Sequence, residues 1–270
     1  MTADPLDRTF EHIRVRRDGA VAEVSLARPE ARNALQAVTL HELTEVAHLL
    51  RRRSDIAAVI LSGAPAFFSA GADVADFENR IRAPTLLETR DVIMAGPDMC
   101  EAWEQIEAVT IAAIEGYCVG GACALALACD FRILGASGFL RLPEVALGVN
   151  MSWRTVPRVT ALAGPSRAKR FVIFGERTDA ATCLDWGLAD EVVADGGAVG
   201  AARAWAARVA ALPPLPVRMT KEQVNATAHA LSHAASYMDR DQYLVTSRSR
   251  DFAEGREAFL QRRTPEFGGD

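Results

Sequence analysis

Three short apolar runs constrain the fold of this chain most strongly, because each is followed by a turn and then by a segment of helical character. The runs cover residues 57–61, 110–114 and 130–134. Strands that are apolar along nearly their whole length are typical of parallel sheets that are covered on both faces. The recurrence of strand, turn and helix therefore predicts an α/β fold with partly parallel strands.

The two ends of the chain have different patterns. Residues 12–16 and 21–26 alternate around Asp18-Gly19, which predicts a β-hairpin with those two residues in the turn. Apolar positions at helical spacing predict a helix over residues 37–53 and further helical segments over 84–106 and 122–129. After Gly196 the pattern becomes helical, with segments at 201–212, 217–230, 234–247 and 252–261. We therefore predict a core domain over residues 1–196 and a helical C-terminal region over 197–270.

Composition excludes several classes of function. The net charge of −5 argues against nucleic acid as an obligate partner. The most apolar segment, residues 108–131, is interrupted by Glu115 and by glycines, so we expect no membrane span. The five cysteines form no C-x-x-C pair and do not cluster with histidines, so we expect no metal site. Their odd number and the absence of an apolar leader indicate a cytoplasmic protein.

Two turns rich in glycine and alanine lie about fifty residues apart. The first reads Phe-Phe-Ser-Ala-Gly-Ala-Asp-Val over residues 67–74, and the second reads Glu-Gly-Tyr-Cys-Val-Gly-Gly-Ala-Cys over residues 115–123. Each follows an apolar run and precedes a helical stretch, so each can present free main-chain N–H groups. Two such turns side by side would form an oxyanion hole, which is a pair of donors aimed at an oxygen that becomes negative during a reaction.

These turns belong to a longer series of motifs. The series continues with Arg-Pro-Glu-Ala-Arg-Asn-Ala-Leu at 28–35, Leu-Pro-Glu-Val-Ala-Leu-Gly at 142–148, Gly-Glu-Arg at 175–177 and Glu-Gly-Arg-Glu-Ala-Phe at 254–259. Together they resemble the crotonase superfamily of enoyl-CoA hydratases and isomerases over nearly the whole chain. The resemblance implies a crotonase (ClpP/crotonase-like) spiral of ββα units, a helical C-terminal region for oligomerisation and CoA contact, and assembly as homotrimers or hexamers.

The resemblance also implies a set of site residues for an acyl-CoA thioester. The N–H groups of Ala72 and Gly121 would hold the thioester oxygen. Main-chain atoms near Ala34, Ala70 and Ala72 would bind the adenine end of CoA, and Phe259 and Arg262 would reach CoA from the C-terminal region. The remaining expected CoA contacts are Arg28, Asp73, Val74, Tyr117 and Gly120. Coenzyme A would enter as part of the substrate, with no separate cofactor.

Glu144 matches one of two glutamates that act in the hydratases of this superfamily. The second would fall at Ala124, whose methyl group can neither activate water nor protonate carbon. A single glutamate suits Δ3,Δ2-enoyl-CoA isomerisation, in which one carboxyl group removes a proton from C2 and returns it to C4. An apolar pocket would raise the pKa of Glu144 towards neutrality for this task. Glu144 is therefore the expected catalytic acid/base.

A second departure lies after Gly148, where relatives carry a glycine-rich segment and this chain carries Val-Asn-Met-Ser-Trp-Arg. Asn150, Trp153 and Arg154 are candidates for the acyl pocket. Asn150, Ser152 or Arg154 could orient water or hold a polar substrate group, although packing of the loop is the simpler interpretation. A hydratase or decarboxylase with an unusual second polar group therefore stays open, as does a non-catalytic acyl-CoA-binding or RNA-binding member.

Overall fold

The larger of two β-sheets organises the fold. The computed structural model describes residues 4–73, 76 and 85–270. The six strands of this sheet are β1 (Ile13–Asp18), β2 (Val21–Leu26), β3 (Ala58–Ser62), β4 (Val109–Ile114), β6 (Phe131–Gly135) and β9 (Glu191–Val193). Their order is β1-β2-β3-β4-β6-β9, and every neighbouring pair except β1–β2 is parallel. The buried runs therefore form a mainly parallel sheet, as predicted.

The N-terminal hairpin has its turn one residue later than predicted. Asp18 pairs with Val21 as the last ladder pair, so the turn consists of Gly19 and Ala20. Gly19 has a φ of 56°, which is the left-handed conformation that glycine adopts without steric cost. Asp18 is thus the last strand residue and not a turn residue.

A second, three-stranded sheet gives the fold its repeat. It consists of β5 (Tyr117–Val119), β7 (Phe139–Arg141) and β8 (Thr178–Asp179), with β5 parallel and β8 antiparallel to β7. The chain passes from β4 in the large sheet to β5 in the small sheet and then into helix α3 (Gly121–Leu127). It then passes from β6 to β7 and on to helix α4 (Thr155–Phe174). This strand, strand, helix order confirms the expected ββα spiral.

Two long helices cover one face of the large sheet. They are α1 (Ala37–Leu50) and α2 (Leu86–Glu104), which pack against each other. Nε1 of the buried Trp103 on α2 donates a hydrogen bond to the carbonyl oxygen of Leu43 on α1 at 3.0 Å. Helix α1 ends three residues before the predicted end, and a capping box of Thr85 and Glu88 starts α2. These contacts place the main hydrophobic core between the helices and the sheet.

The opposite face of the large sheet is covered by helix α6 (Ala198–Ala210). Its buried residues Ala198, Ala202 and Ala206 recur every four positions and form a second core cluster with strand residues of the sheet. The amide of Ala198 donates to Oε1 of the buried Glu115 at 2.9 Å, which holds the start of the helix. The domain boundary after residue 196 stays a prediction, and the first helix beyond it packs directly on the sheet.

The remaining helices are α5 (Ala180–Trp186), α7 (Pro214–Ala228), α8 (Ser232–Ser236), α9 (Asp239–Thr246) and α10 (Arg250–Gln261). The helix predicted over 234–247 is wrong in extent, because α8 and α9 are separate short helices there. Helix α7 buries none of its residues and is attached by polar contacts of Arg218 and Lys221, which include the ion pair of Lys221 with Asp130 at 2.6 Å. In the part of the chain that the structure describes, each helix is too short or too polar to cross a lipid bilayer.

Candidate active site

The two glycine-rich turns lie side by side. The amide of Ser69 donates to the carbonyl oxygen of Tyr117 at 3.1 Å, and the amide of Val119 donates to that of Ser69 at 3.2 Å. Gly71 has a φ of 93°, and a Cβ on it would come within 2.5 Å of the carbonyl oxygen of Val119 and 3.6 Å of Cα of Gly120. Only glycine allows this approach, so its presence brings the first turn into contact with the second.

The residues that follow these touching glycines are Ala72 and Gly121. In the parallel bridge between Leu35 and Ala72, the bonds run from Leu35 to Gly71 and from Asp73 to Leu35, at 2.8 and 3.0 Å. This pattern makes no use of the N–H of Ala72 itself. Gly121 is the first residue of α3, where an amide has no acceptor within its own helix. The local geometry therefore leaves both amides available to an external oxygen.

Glu144 lies against the second turn. A Cβ on Gly120 would be 3.0 Å from Oε1 of Glu144, so the carboxyl group touches the backbone there. Oε2 is inaccessible to solvent and has no hydrogen-bond partner among the described residues. Burial raises the pKa of Glu144 to about 7, against smaller opposing effects of a backbone hydrogen bond at Glu144 and of the charge of Arg141. A carboxyl group with a pKa near neutrality can both accept and return a proton.

The segment after Gly148 places Trp153 against Gly121, next to the second turn. Its indole packs on Gly121 and on Gly96 of α2. A Cβ added to Gly121 would lie 2.5 Å from Cζ3 of the ring, and a Cβ added to Gly96 would lie 2.5 Å from Cδ2. Trp153 and Arg154 both have left-handed backbones, with φ of 59° and 53°. Ala124, one turn after Gly121, is fully buried and offers only a methyl group.

The other two acyl-pocket candidates have partners within the protein. Oδ1 of Asn150 accepts a hydrogen bond from Oγ1 of Thr246 at 2.9 Å. The guanidinium of Arg154 forms an ion pair with Glu101 at 2.7 Å, and its amide donates to Oδ2 of Asp239 at 3.0 Å. These contacts agree with the simpler interpretation of both residues as packing groups of the loop.

Several of the expected CoA contacts form one connected group beside the first turn. Nη1 of Arg28 donates to the carbonyl oxygen of Ala34 at 2.9 Å and lies 3.8 Å from Oδ2 of Asp73. Asp73 accepts hydrogen bonds from Nε2 of Gln36 and from the amide of Asp76, at 3.0 and 3.2 Å. The carboxylate of Asp73 thus closes the turn locally.

The other CoA candidates are more dispersed. The amide of Ala70 donates to the carbonyl oxygen of Arg32 at 3.0 Å, and Tyr117 stacks on Phe67 with ring centroids 5.0 Å apart. Phe259 on α10 is 66% exposed, and Arg262, which ends that helix, is exposed as well. Val74 lies outside the described residues. The described residues contain no group of three or more potential metal ligands.

Sequence reasoning missed the residues that hold Trp153 in place. Nη1 of Arg158 donates to the carbonyl oxygen of Trp153 at 2.8 Å, and the buried Arg158 is itself paired with Glu104. Tyr243 on α9 was also missed, and both burial and the charge of Glu144 raise its pKa. Arg158 follows Trp153 closely in sequence, but Glu104 and Tyr243 lie on distant helices, so no local pattern could have revealed the full set.

Comparison with known proteins agrees with this geometry. The sequence model of the enoyl-CoA hydratase/isomerase family matches residues 16–270. A probable enoyl-CoA hydratase of Mycobacterium tuberculosis is 34% identical over 263 residues, which cover 96% of this chain and 98% of that protein. The 2,3-dehydroadipyl-CoA hydratase of Escherichia coli is 30% identical over 258 residues, with 94% and 98% covered.

Solved structures give the same result. The crystal structure of an enoyl-CoA hydratase from Mycobacterium avium subsp. paratuberculosis superposes with a TM-score of 0.86 at 25% identity, and the match covers 96% of this chain and 100% of that one. Sequence and fold therefore agree along both sheets and the C-terminal helices. The chain belongs to the enoyl-CoA hydratase/isomerase family of the crotonase superfamily.

Proposed function

We propose that this protein isomerises 3-enoyl-CoA to 2-enoyl-CoA, with Glu144 as the single acid/base. The observation that carries the proposal is one carboxyl group with a pKa of about 7 in contact with the second glycine turn. Ala124 stands where a second glutamate would act in a hydratase. Adding water to a double bond needs one group to activate the water and another to protonate carbon, whereas moving the double bond needs only one group that takes and returns a proton.

The proposed reaction has two proton transfers. The carboxylate of Glu144 removes a proton from C2, and the electron pair of the broken C–H bond moves into a dienolate that places negative charge on the thioester oxygen. The amides of Ala72 and Gly121 stabilise this oxygen, and losing one such donor typically costs ~10²–10³ in rate. The carboxylic acid of Glu144 then protonates C4, which restores the carbonyl and leaves the double bond between C2 and C3.

Contacts with coenzyme A extend the proposal. The connected group of Arg28, Ala34 and Asp73 lies next to the first turn, so its main-chain atoms and the guanidinium are suited to the adenine and phosphate groups. Phe259 and Arg262 remain exposed on α10, where they can reach a ligand from the C-terminal region. Assembly as a trimer or hexamer is proposed on the resemblance, and sedimentation velocity measures it directly.

Hydration is the second candidate, because the similar proteins named above are hydratases. It would need a polar group besides Glu144. Tyr243 is a candidate for this role, since burial and the charge of Glu144 raise the pKa of its phenol and keep the hydroxyl group protonated. Tyr243→Phe tests this candidate, because the change removes the hydroxyl group and keeps the ring.

A paired assay separates the two candidates. The enzyme is given 3-enoyl-CoA or 2-enoyl-CoA of the same chain length, and both products are quantified by mass spectrometry. We expect conversion of the 3-enoyl substrate and no efficient hydration of the 2-enoyl substrate. Glu144→Gln should lower the isomerisation rate by about 10²–10⁴ while still binding acyl-CoA. Efficient hydration by the wild-type protein, or full turnover by Glu144→Gln, would overturn the proposal.

A further inference from the structure

The indole of Trp153 fills the space between two helices at the proposed oxyanion donor. On one side it contacts Gly96 in the middle of α2, and on the other it contacts Gly121 at the start of α3. The side chain is only half-buried, although it packs against the main core. Trp153 is therefore not sealed inside the core.

The indole is one of two reasons for the glycine at position 96. Gly96 is buried within α2 and has no positive φ, but it precedes Pro97, whose ring also disfavours a Cβ on the preceding helical residue. A glycine inside a helix costs roughly 0.5–1 kcal/mol relative to alanine. The space that it leaves is occupied by Trp153, whose ring would overlap any Cβ there. The glycine thus lowers the stability of α2 at the position where the indole packs.

The backbone of Trp153 is fixed in an unusual conformation. Two consecutive non-glycine residues, Trp153 and Arg154, have left-handed backbones, and such strain persists only where the surroundings impose it. Arg158 holds the carbonyl oxygen of Trp153, and Asp239 holds the amide of Arg154. Contacts from α4 and α9 therefore fix where the ring lies.

We propose that Trp153 is the end wall of the acyl pocket and restricts the enzyme to short-chain acyl-CoA substrates. This inference rests on the proposed function, because a thioester oxygen held by the amide of Gly121 places the first acyl carbons beside the ring that contacts that residue. In this assignment a short acyl chain would lie between Glu144 and the indole. A longer chain meets the ring. The ring cannot move aside, because it is packed between the backbones of Gly96 and Gly121 and its own backbone is held by hydrogen bonds.

The test uses binding of saturated acyl-CoA, because binding does not depend on proton transfer. Calorimetry gives the affinity of butyryl-, hexanoyl-, octanoyl-, decanoyl- and dodecanoyl-CoA for the wild type, Trp153→Ala and Trp153→Leu. We expect the wild type to bind butyryl- or hexanoyl-CoA best. Trp153→Ala should bind decanoyl-CoA at least tenfold more tightly than the wild type, since burying two additional methylene groups is worth roughly tenfold in affinity.

Two controls make the result specific. Trp186→Ala removes an indole of the same size from α5, where Trp186 contacts Arg167 and Arg170, and it should leave the chain-length profile unchanged. Glu144→Gln should abolish isomerisation but keep the wild-type profile of binding, so failure of the proposed reaction and failure of this inference are distinguishable. Thermal unfolding confirms that each variant is folded, and Trp153→Leu serves if Trp153→Ala is not.

Either of two outcomes would overturn the inference. The first is a wild-type protein that binds decanoyl-CoA as tightly as butyryl-CoA. The second is a Trp153→Ala protein in which the affinity for every chain length changes by the same factor. A shift of the preferred length towards longer chains, in Trp153→Ala and to a smaller extent in Trp153→Leu, supports the assignment.

Discussion

The carboxyl group of Glu144 lies so close to Gly120 that a Cβ on Gly120 would come within 3.0 Å of Oε1. Gly120 also has a φ of 57° and a ψ of −129°, a combination open almost only to glycine. The residue thus allows both the shape of the second turn and the approach of the proposed acid/base. Its replacement affects stability and chemistry for different reasons.

We expect Gly120→Ala to lower the free energy of unfolding by about 1–3 kcal/mol through backbone strain. It should also lower isomerisation more than the stability loss explains, because the new methyl group displaces Glu144. Gly196→Ala is the matched control, since Gly196 has a φ of 81° but no atom within 4 Å of an added Cβ. Urea unfolding and kcat/KM are the measurements. Equal loss of activity in the two variants would contradict the role assigned to Gly120.

The pKa of Glu144 sets the expected pH dependence of catalysis. Because burial raises this pKa to about 7 and the active base is the carboxylate, kcat/KM should rise with pH up to about 7 and then level off. Below that point it should fall about tenfold per pH unit. A profile of isomerisation against pH checks this, and a flat profile from about pH 5 to pH 8 would show that another group is the base.

The raised pKa of Glu144 also predicts how the free energy of unfolding changes with pH. The pKa of Glu144 in the folded protein lies above its ordinary value of 4.5. The neutral form therefore contributes stability that is fully present below pH 4.5 and is lost as the pH rises through about 7. Glu144→Gln does not titrate, so the variant should gain stability relative to the wild type over that interval. Urea unfolding of both proteins at several pH values measures the difference, and a constant difference would be inconsistent with a raised pKa.

The contact between Gly96 and Trp153 predicts that the stability cost of Gly96→Ala depends on the indole. In the wild type, Gly96→Ala should destabilise the protein by about 1–3 kcal/mol, because the new methyl group overlaps the indole. In a Trp153→Ala background the same substitution should cost less, because the overlap with the indole is gone and only the clash with the ring of Pro97 remains. A double-mutant cycle measured by urea unfolding gives both values. An equal cost in both backgrounds would mean that the indole does not occupy this space.

The ion pair of Arg158 and Glu104 predicts that removing the glutamate lowers stability more than replacing the arginine. The Arg158 side chain is 3% exposed and that of Glu104 is 24% exposed. Glu104→Ala should cost about 3–5 kcal/mol of stability, because it leaves a buried guanidinium without its counter-charge. Arg158→Met should cost less, about 1–3 kcal/mol, mainly because the carbonyl oxygens of Trp153 and Arg154 lose a donor. Chemical unfolding compares the two, and a larger loss in Arg158→Met would contradict this account.

Local patterns predicted the elements whose burial repeats along the sequence. The runs at β3, β4 and β6 are apolar because both faces of the large sheet are covered, so the pattern and its cause are both local. Helix α4 was not predicted, because Gly164 and Pro165 interrupt its pattern and Gly164 has a non-helical backbone. Strands β5, β7, β8 and β9 have only two or three residues, which is too short to show a period.

The proposed site was predictable only in part, for a similar reason. Each of the two glycine turns is one continuous stretch of sequence, so the shape of each turn could be predicted from neighbouring residues. The contact of Trp153 with Gly96 joins a residue between the two turns to one that follows both, and Arg158 on α4 and Asp239 on α9 add further contacts. Such contacts depend on how the layers pack. The sequence therefore named Trp153 as a pocket candidate without indicating which helices would hold it.

Helix α10 approaches the backbone of the segment that carries Glu144 closely at two glycines. A Cβ on Gly255 would lie 2.6 Å from the carbonyl oxygen of Leu147, and one on Gly148 would lie 2.7 Å from that of Asp251. Side chains can absorb a small displacement by changing rotamer, but two main chains in direct contact cannot. We therefore expect a shift of α10 to be transmitted to the backbone of the segment that carries Glu144, so that the position of the proposed acid/base would respond to whatever binds the outer face of that helix.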